Sequence, residues 1–170
     1  MSDAPLAVGP DLPSGRFEGR TDFQQLVRDA LACAAREGWP ELMLSDANFH
    51  DWPLGERVVV ESLQQWARAG RRMTVIAAGY DELVRRHARF VKWRVRWDHV
   101  VTCRRAAAVD PRELPSAIWS PHWVLQRHDP LRCLGVTGAE PERRVLLREC
   151  LLEWVERKSA PGFPASTLGL

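Results

Sequence analysis

The sequence lacks several features that would assign it to a common class of protein. No run of apolar residues approaches the roughly 18 that a membrane-spanning helix needs. The first residues, MSDAPLAVGPDLPSG, have no basic start followed by an apolar stretch, so we expect no secretory signal and no membrane span. The four cysteines lie far apart and form no Cys-x-x-Cys pair, which favours free thiols. These absences together predict a reduced, cytoplasmic protein.

Familiar catalytic and cofactor motifs are also missing. The chain has no Gly-x-Ser-x-Gly elbow, no His-Glu-x-x-His pair, no phosphate-binding glycine loop and no dinucleotide glycine fingerprint. His122, His128 and Cys133 carry donor atoms that zinc accepts, but their spacing matches no familiar site and no fourth ligand accompanies them. We therefore predict neither a metal nor a cofactor.

The composition is that of a folded domain with no overall charge signal. The chain has 170 residues, of which 45% are hydrophobic and 27% charged, and a formal net charge of only +2. These values predict one globular domain and give no general reason to expect nucleic-acid binding. Lys occurs only at positions 92 and 158. The preference for Arg reflects either the codon bias of a GC-rich genome or selection for bidentate anion contacts.

Apolar strands alternate with amphipathic helices along the chain. We predict a flexible arm over residues 1–15, a single α/β domain over residues 16–157 and an irregular tail over residues 158–170. The alternation predicts a mainly parallel sheet covered by helices. The segments near 42–45, 74–77 and 100–103 are expected to be parallel neighbours, and 123–126 and 133–136 are expected to be two further strands.

The third predicted helix, from about residue 81 to 97, has two different sides. Its apolar side carries Leu83, His87, Phe90, Trp93 and Trp97, and its basic side carries Arg85, Arg89, Lys92 and Arg96. Because the aromatic and basic residues lie on opposite sides, we interpret them as a buried face and a solvated stripe. We expect no sequence-specific nucleic-acid binding, and at most weak, salt-sensitive contact with phosphates.

Arg86 and Arg94 fall near the apolar side of the same helix. Each side chain either extends its guanidinium to water or uses it on a buried carboxylate or an anionic ligand. The pattern alone leaves both alternatives open.

Polar residues follow the predicted strands, where open parallel sheets bind ligands. The ligand-binding candidates at this edge are Asp46, His50, Tyr80, Arg104 and Arg105. Asp51, directly before Trp52 and Pro53, is expected to cap a helix.

The order of elements over roughly residues 21–157 resembles one half of a phospholipase D-like domain, and the chain resembles small bacterial proteins with that fold. The family uses a His-x-Lys pair with a downstream Asp, and its His attacks phosphorus. The corresponding region here is HWVLQRHDPLRCLGVTG, residues 122–138. His122 is followed by Trp123 and Val124, so the Lys is missing. The resemblance therefore implies a degenerate, non-hydrolytic member.

These observations predict a non-catalytic α/β binding or interaction module, with a phosphate-bearing ligand as the candidate. One alternative is an atypical phosphodiesterase that uses His122 or His128 as its nucleophile. The other is a partner-docking protein that acts through its tail. The end of the chain, GFPASTLGL, has no charged side chain, so we expect it to lie against its own domain, a second copy or another protein, with an added strand as one form of contact.

Overall fold

A computed structural model describes residues 11–163 of the chain. Residues 1–10 of the predicted arm and residues 164–170 of the predicted tail lie outside this range. The helices are α1 (Arg20–Glu37), α2 (Arg57–Trp66), α3 (Asp81–Arg86), α4 (Ala88–Arg96) and α5 (Pro141–Arg157). The strands are β1 (Gly15–Glu18), β2 (Glu41–Ser45), β3 (Arg72–Ala77), β4 (Val101–Arg105), β5 (Ser116–Trp119), β6 (Val124–Asp129), β7 (Leu134–Gly138) and β8 (Ala160–Pro161).

The strands form one sheet in the order β1-β7-β6-β5-β2-β3-β4-β8. Its centre confirms the predicted parallel unit, because β2 pairs in parallel with β3, and β3 with β4. Helices connect these strands, as crossovers between parallel neighbours require.

The prediction of a mainly parallel sheet is wrong. The other five strand pairs are antiparallel. The reason lies in the connections: β5, β6 and β7 are joined by loops of residues 120–123 and 130–133, which are long enough for a hairpin but too short for a crossover helix. The protein is a mixed α/β domain in which an antiparallel half extends a parallel one.

The sheet divides the core into two layers. Alternate side chains of a strand point to opposite faces, so Leu42 and Leu44 pack on one side and Met43 on the other. The first layer is covered by α1, α2 and α4, and the second by α5 through Leu147, Leu151 and Trp154.

The predicted third helix is broken at His87, which separates α3 from α4. The buried His87 ring lies against the loop between β2 and α2, and its Nε2 is 2.8 Å from the carbonyl oxygen of Phe49. Phe90 is fully buried, and Arg85, Arg89 and Arg96 are exposed, as predicted. Trp97, which follows the last residue of α4, packs at the margin of the core and is only half-buried.

Candidate functional site at the strand ends

Several strands end at the same edge of the sheet. β2 and β6 both run antiparallel to β5, which lies between them, so their carboxyl ends meet at one edge together with those of β3 and β4. Asp46 directly follows β2, Arg127 lies near the end of β6, and Ser116 begins β5. This edge therefore gathers side chains that are far apart in the sequence.

Arg127 is the centre of a buried polar cluster at this edge. Its side chain is only 2% exposed, against 6% for Asp46 and 11% for Asp51. The two terminal nitrogens donate to both carboxylate oxygens of Asp51, at 2.7 and 3.1 Å, and to Asp46 at 3.0 Å. The remaining donors contact the Cys133 sulfur at 3.3 Å and the Ser116 hydroxyl at 3.1 Å. All five N–H groups of the guanidinium are used.

The surroundings fix this cluster further. The guanidinium carbon of Arg127 lies 4.1 Å from the centre of the Phe23 ring, a cation–π contact. The other oxygen of Asp46 accepts from the backbone N–H groups of Asn48 and Phe49, at 3.2 and 2.8 Å. The predicted helix-cap role of Asp51 is wrong, because α2 begins six residues later and Asp51 is bound by Arg127.

The charges of the cluster shift the pKa values of Asp51 and Arg127. Burial raises the pKa of Asp51, but the hydrogen bonds and positive charge of Arg127 outweigh this effect and hold that pKa below its ordinary value. Burial lowers the pKa of Arg127, and the two carboxylates more than compensate, so its pKa is raised. Arg127 and Asp51 are therefore both ionised at neutral pH, and Arg127 has no N–H group left for an incoming anion.

The two candidate nucleophiles lie at opposite ends of β6. His122 is exposed in the loop before the strand, with its ring 5.8 Å from that of Trp39. His128 is exposed near the other end, in an open groove of about 650 Å³ between β6, β7 and β1. Six residues of extended chain, about 20 Å, separate them. Val124, which stands where the resemblance places a Lys, is fully buried.

The other ligand-binding candidates are occupied by internal contacts or lie apart. His50 is half-exposed, with its Nδ1 3.6 Å from a carboxylate oxygen of Glu82, which also binds Arg85 and Arg86. The Tyr80 hydroxyl donates to the carbonyl oxygen of Arg104 at 2.8 Å, and burial raises the pKa of Tyr80.

Arg104 holds the end of α5 against the sheet. Its side chain donates to the carbonyl oxygens of Val155 and Ser159, both at 2.8 Å, and to the Ser159 hydroxyl at 3.1 Å. Arg105 is exposed, and its backbone pairs with Ala160 of β8. Of the five candidates, only Asp46 belongs to the Arg127 cluster.

The two ambiguous arginines have different surroundings. Arg86 is exposed and pairs with Glu82 at 2.9 Å. Arg94 is buried, with a side chain 4% exposed, and one terminal nitrogen donates to Asp98 at 3.1 Å. The buried Nε of Arg94 has no hydrogen-bond partner among the residues that the structure describes.

The basic stripe remains open to solvent on α4. Arg89, Lys92 and Arg96 are all exposed, and their spacing of three and four residues places them on one face of the helix. Arg89 also donates to the carbonyl oxygen of Gly55 at 2.9 Å. We call these three side chains the α4 basic face.

Sequence reasoning missed the central role of Arg127. The signal was present in the alternation of β6, where Leu125 and Arg127 point to the same buried side of the sheet. A buried Arg needs carboxylate partners, and Asp46 and Asp51 were the acidic residues at the same edge. The roles of Ser116 and Cys133 had no sequence signal.

Within residues 11–163, no group of three or more His, Cys, Asp or Glu side chains is placed to hold a metal ion. In the same range, every helix is too short or too polar to cross a membrane.

No protein-family model matches this sequence, and no curated protein matches it. Solved structures do match the fold. TrmBL2, an archaeal chromatin protein described as having a novel mode of DNA binding, superimposes with a TM-score of 0.64 at 14% identity. Phosphatidylserine synthase from Haemophilus influenzae Rd KW20 superimposes with a TM-score of 0.53 at 12% identity.

Both matches cover nearly all of this chain, 88% and 89%, but the chain spans only 54% of TrmBL2 and 40% of the synthase. At such low identity, the likeness shows a shared fold. Beyond this likeness of fold, the phospholipase D-like resemblance stays a prediction.

Proposed function

We propose that this chain is a non-catalytic α/β module that binds a phosphate-bearing macromolecule through the α4 basic face. The observation that carries the non-catalytic part is the closed Arg127 cluster. The edge where a sheet of this kind would bind a ligand is occupied by side chains that bind one another, and every N–H group of the Arg127 guanidinium is already used.

The positions of the histidines support the same conclusion. A nucleophilic His that attacks phosphorus needs cationic or hydrogen-bonding groups around the transferred group. His122 and His128 are exposed at opposite ends of β6, and neither contacts the Arg127 cluster by a hydrogen bond.

The α4 basic face supports phosphate contact because its cations are exposed and carry no carboxylate partner among the described residues. Arg85 and Arg86, by contrast, share Glu82. Three cations on one helical face suit the phosphates of a nucleic-acid backbone, which contribute affinity without reading sequence. The DNA binding stated for TrmBL2 makes duplex DNA a suitable first probe.

Fluorescence anisotropy with a labelled DNA duplex tests this proposal. We expect weak binding at low salt by the wild type and loss of binding by Arg89→Glu/Arg96→Glu. The matched control is Arg132→Glu/Arg157→Glu, which changes the net charge equally at two exposed positions outside α4 and should still bind. Equal loss in both double variants would show that overall charge, and not the α4 basic face, determines binding.

A further inference from the structure

The start of the C-terminal tail occupies the outer edge of the sheet. β4 pairs with β3 along its length, but on its other side only Arg104 and Arg105 are paired, with Pro161 and Ala160 of β8. The next residue, Gly162, donates its N–H to the carbonyl oxygen of Cys103 at 3.0 Å. The rest of this edge of β4 has no neighbouring strand among the described residues, and a free strand edge readily accepts another strand.

Phe163 then fills an aromatic pocket beside β4. Its ring stacks on that of Tyr80, with centres 4.9 Å apart and planes inclined by 15°. The guanidinium carbon of Arg94 lies 5.7 Å from the centre of the Phe163 ring. We call the pocket of Tyr80 and Arg94, together with the outer edge of β4, the edge groove.

Arg94 distinguishes this pocket from an ordinary part of the core. Arg127, which is equally buried, uses every N–H group, whereas the buried Nε of Arg94 has no partner within the described part of the chain. Among residues 11–163, the carboxylate that contacts Arg94 is that of Asp98, whose side chain is 65% exposed. A buried guanidinium with a spare donor is a suitable contact for an acidic or carbonyl oxygen brought in by an occupant.

The chain's own segment is held in the groove by few contacts. β8 has two residues, and one of them, Pro161, has no N–H to donate. Phe163 has a φ of 48°, a left-handed conformation that is unfavourable for a residue with a side chain. Arg104 anchors Val155 and Ser159, so the segment after Ser159 can leave while α5 stays in place.

We propose that the edge groove is a docking site for an extended segment of a partner protein. This segment adds to β4 as an antiparallel strand and places an aromatic side chain between Tyr80 and Arg94, with an acidic residue next to it. Residues 160–163 are then an internal competitor that occupies the site until the partner arrives. Strand addition of this kind takes its affinity from backbone hydrogen bonds and its specificity from a side-chain pocket.

The test uses the full chain and a labelled peptide with its own tail sequence, KSAPGFPAST, residues 158–167. A Gly162→Val/Phe163→Ala variant releases the internal segment, because a Cβ at position 162 would lie 2.7 Å from the Cβ of Arg105. Since a tethered competitor acts at millimolar effective concentration, we expect this variant to bind the peptide at least about tenfold more tightly than the wild type does. A peptide with Phe163→Ala should not bind, and one with Pro164→Asp should bind more tightly.

A second readout follows the thiol of Cys103, which is buried beside the pocket. In a Cys150→Ser background, release of the segment should speed alkylation of Cys103, and the peptide should restore its protection. If the double variant unfolds, both measurements are repeated with the single variant Phe163→Ala, which keeps Gly162. Three results would each overturn the proposal. The peptide could bind equally well with and without its Phe, the released variants could fail to bind it, or the wild type could form dimers that exchange tails.

Discussion

Replacing Arg127 with Met is the sharpest test of the buried cluster. The substitution keeps an unbranched apolar stem but removes the one cation of residues 11–163 that pairs with Asp46 and Asp51, which are 6% and 11% exposed. Removing one partner of a buried ion pair costs about 3–5 kcal/mol, because the remaining charge is left without compensation. We expect a loss of that size in the free energy of unfolding, measured by urea denaturation.

The matched control is Arg28→Met. Arg28 also forms a two-point contact with a carboxylate, Glu56, at 2.7 and 2.9 Å, but the two side chains are 27% and 41% exposed. Exposed pairs of this kind contribute about 1 kcal/mol or less, so this variant should lose little stability.

The pH dependence gives an independent check. The pKa of Asp51 is lowered in the folded protein, so its stabilising contribution is present above the ordinary Asp range and is lost as the pH falls through the lowered pKa. In Arg127→Met this contribution is already absent. The difference in unfolding free energy between wild type and variant should therefore be largest near neutral pH and shrink below about pH 4. A difference below about 1 kcal/mol at pH 7, or one that grows on acidification, would refute the reasoning.

Three further predictions concern packing, catalysis and thiol reactivity. Phe90→Ala should lower the free energy of unfolding by about 3–5 kcal/mol in chemical denaturation. Trp97→Ala should lower it clearly less, because Trp97 is only half-buried; similar losses in the two variants would mean that both rings belong to the core. The wild type should not hydrolyse bis(p-nitrophenyl) phosphate, and turnover that disappears in His122→Ala or His128→Ala would instead establish the hydrolase alternative. Alkylation of the native protein should modify Cys150 first, because it is the exposed cysteine among the described residues. Since the pKa of its thiol is raised and the thiolate is the reactive form, the rate should rise with pH above neutrality; persistence of this rapid phase in Cys150→Ser would contradict the exposure pattern.

The parallel half of the fold could be predicted from the sequence because its signals are local. The apolar segments of β2, β3 and β4 alternate with amphipathic helices, and this alternation specifies their relative direction. β1 and β5 were not predicted, since each has only four residues and a mixed composition. β1 is a strand because it pairs with β7, and β5 because it lies between β2 and β6. Of these partners, only β6 is next to its neighbour in the sequence.

The candidate site could be predicted only in part, for a similar reason. Asp46 is recognisable as a residue that follows a strand. Its partner Arg127 lies 81 positions away, within β6, and no local pattern links the two. Helix periodicity placed Phe90 correctly but did not show that α4 ends at Arg96, just before Trp97. It also missed the break at His87, whose ring contacts Phe49 in another loop. Contacts between distant segments determine these details.

The salt dependence of DNA binding tests the proposed function most directly. Three phosphates neutralised by Arg89, Lys92 and Arg96 should give a slope of about −2.7 for the logarithm of the association constant against the logarithm of salt concentration. We expect this slope with duplexes of unrelated sequence, since phosphates carry no base information. No detectable binding at low salt, or tight binding at physiological salt that depends on the duplex sequence, would contradict the account.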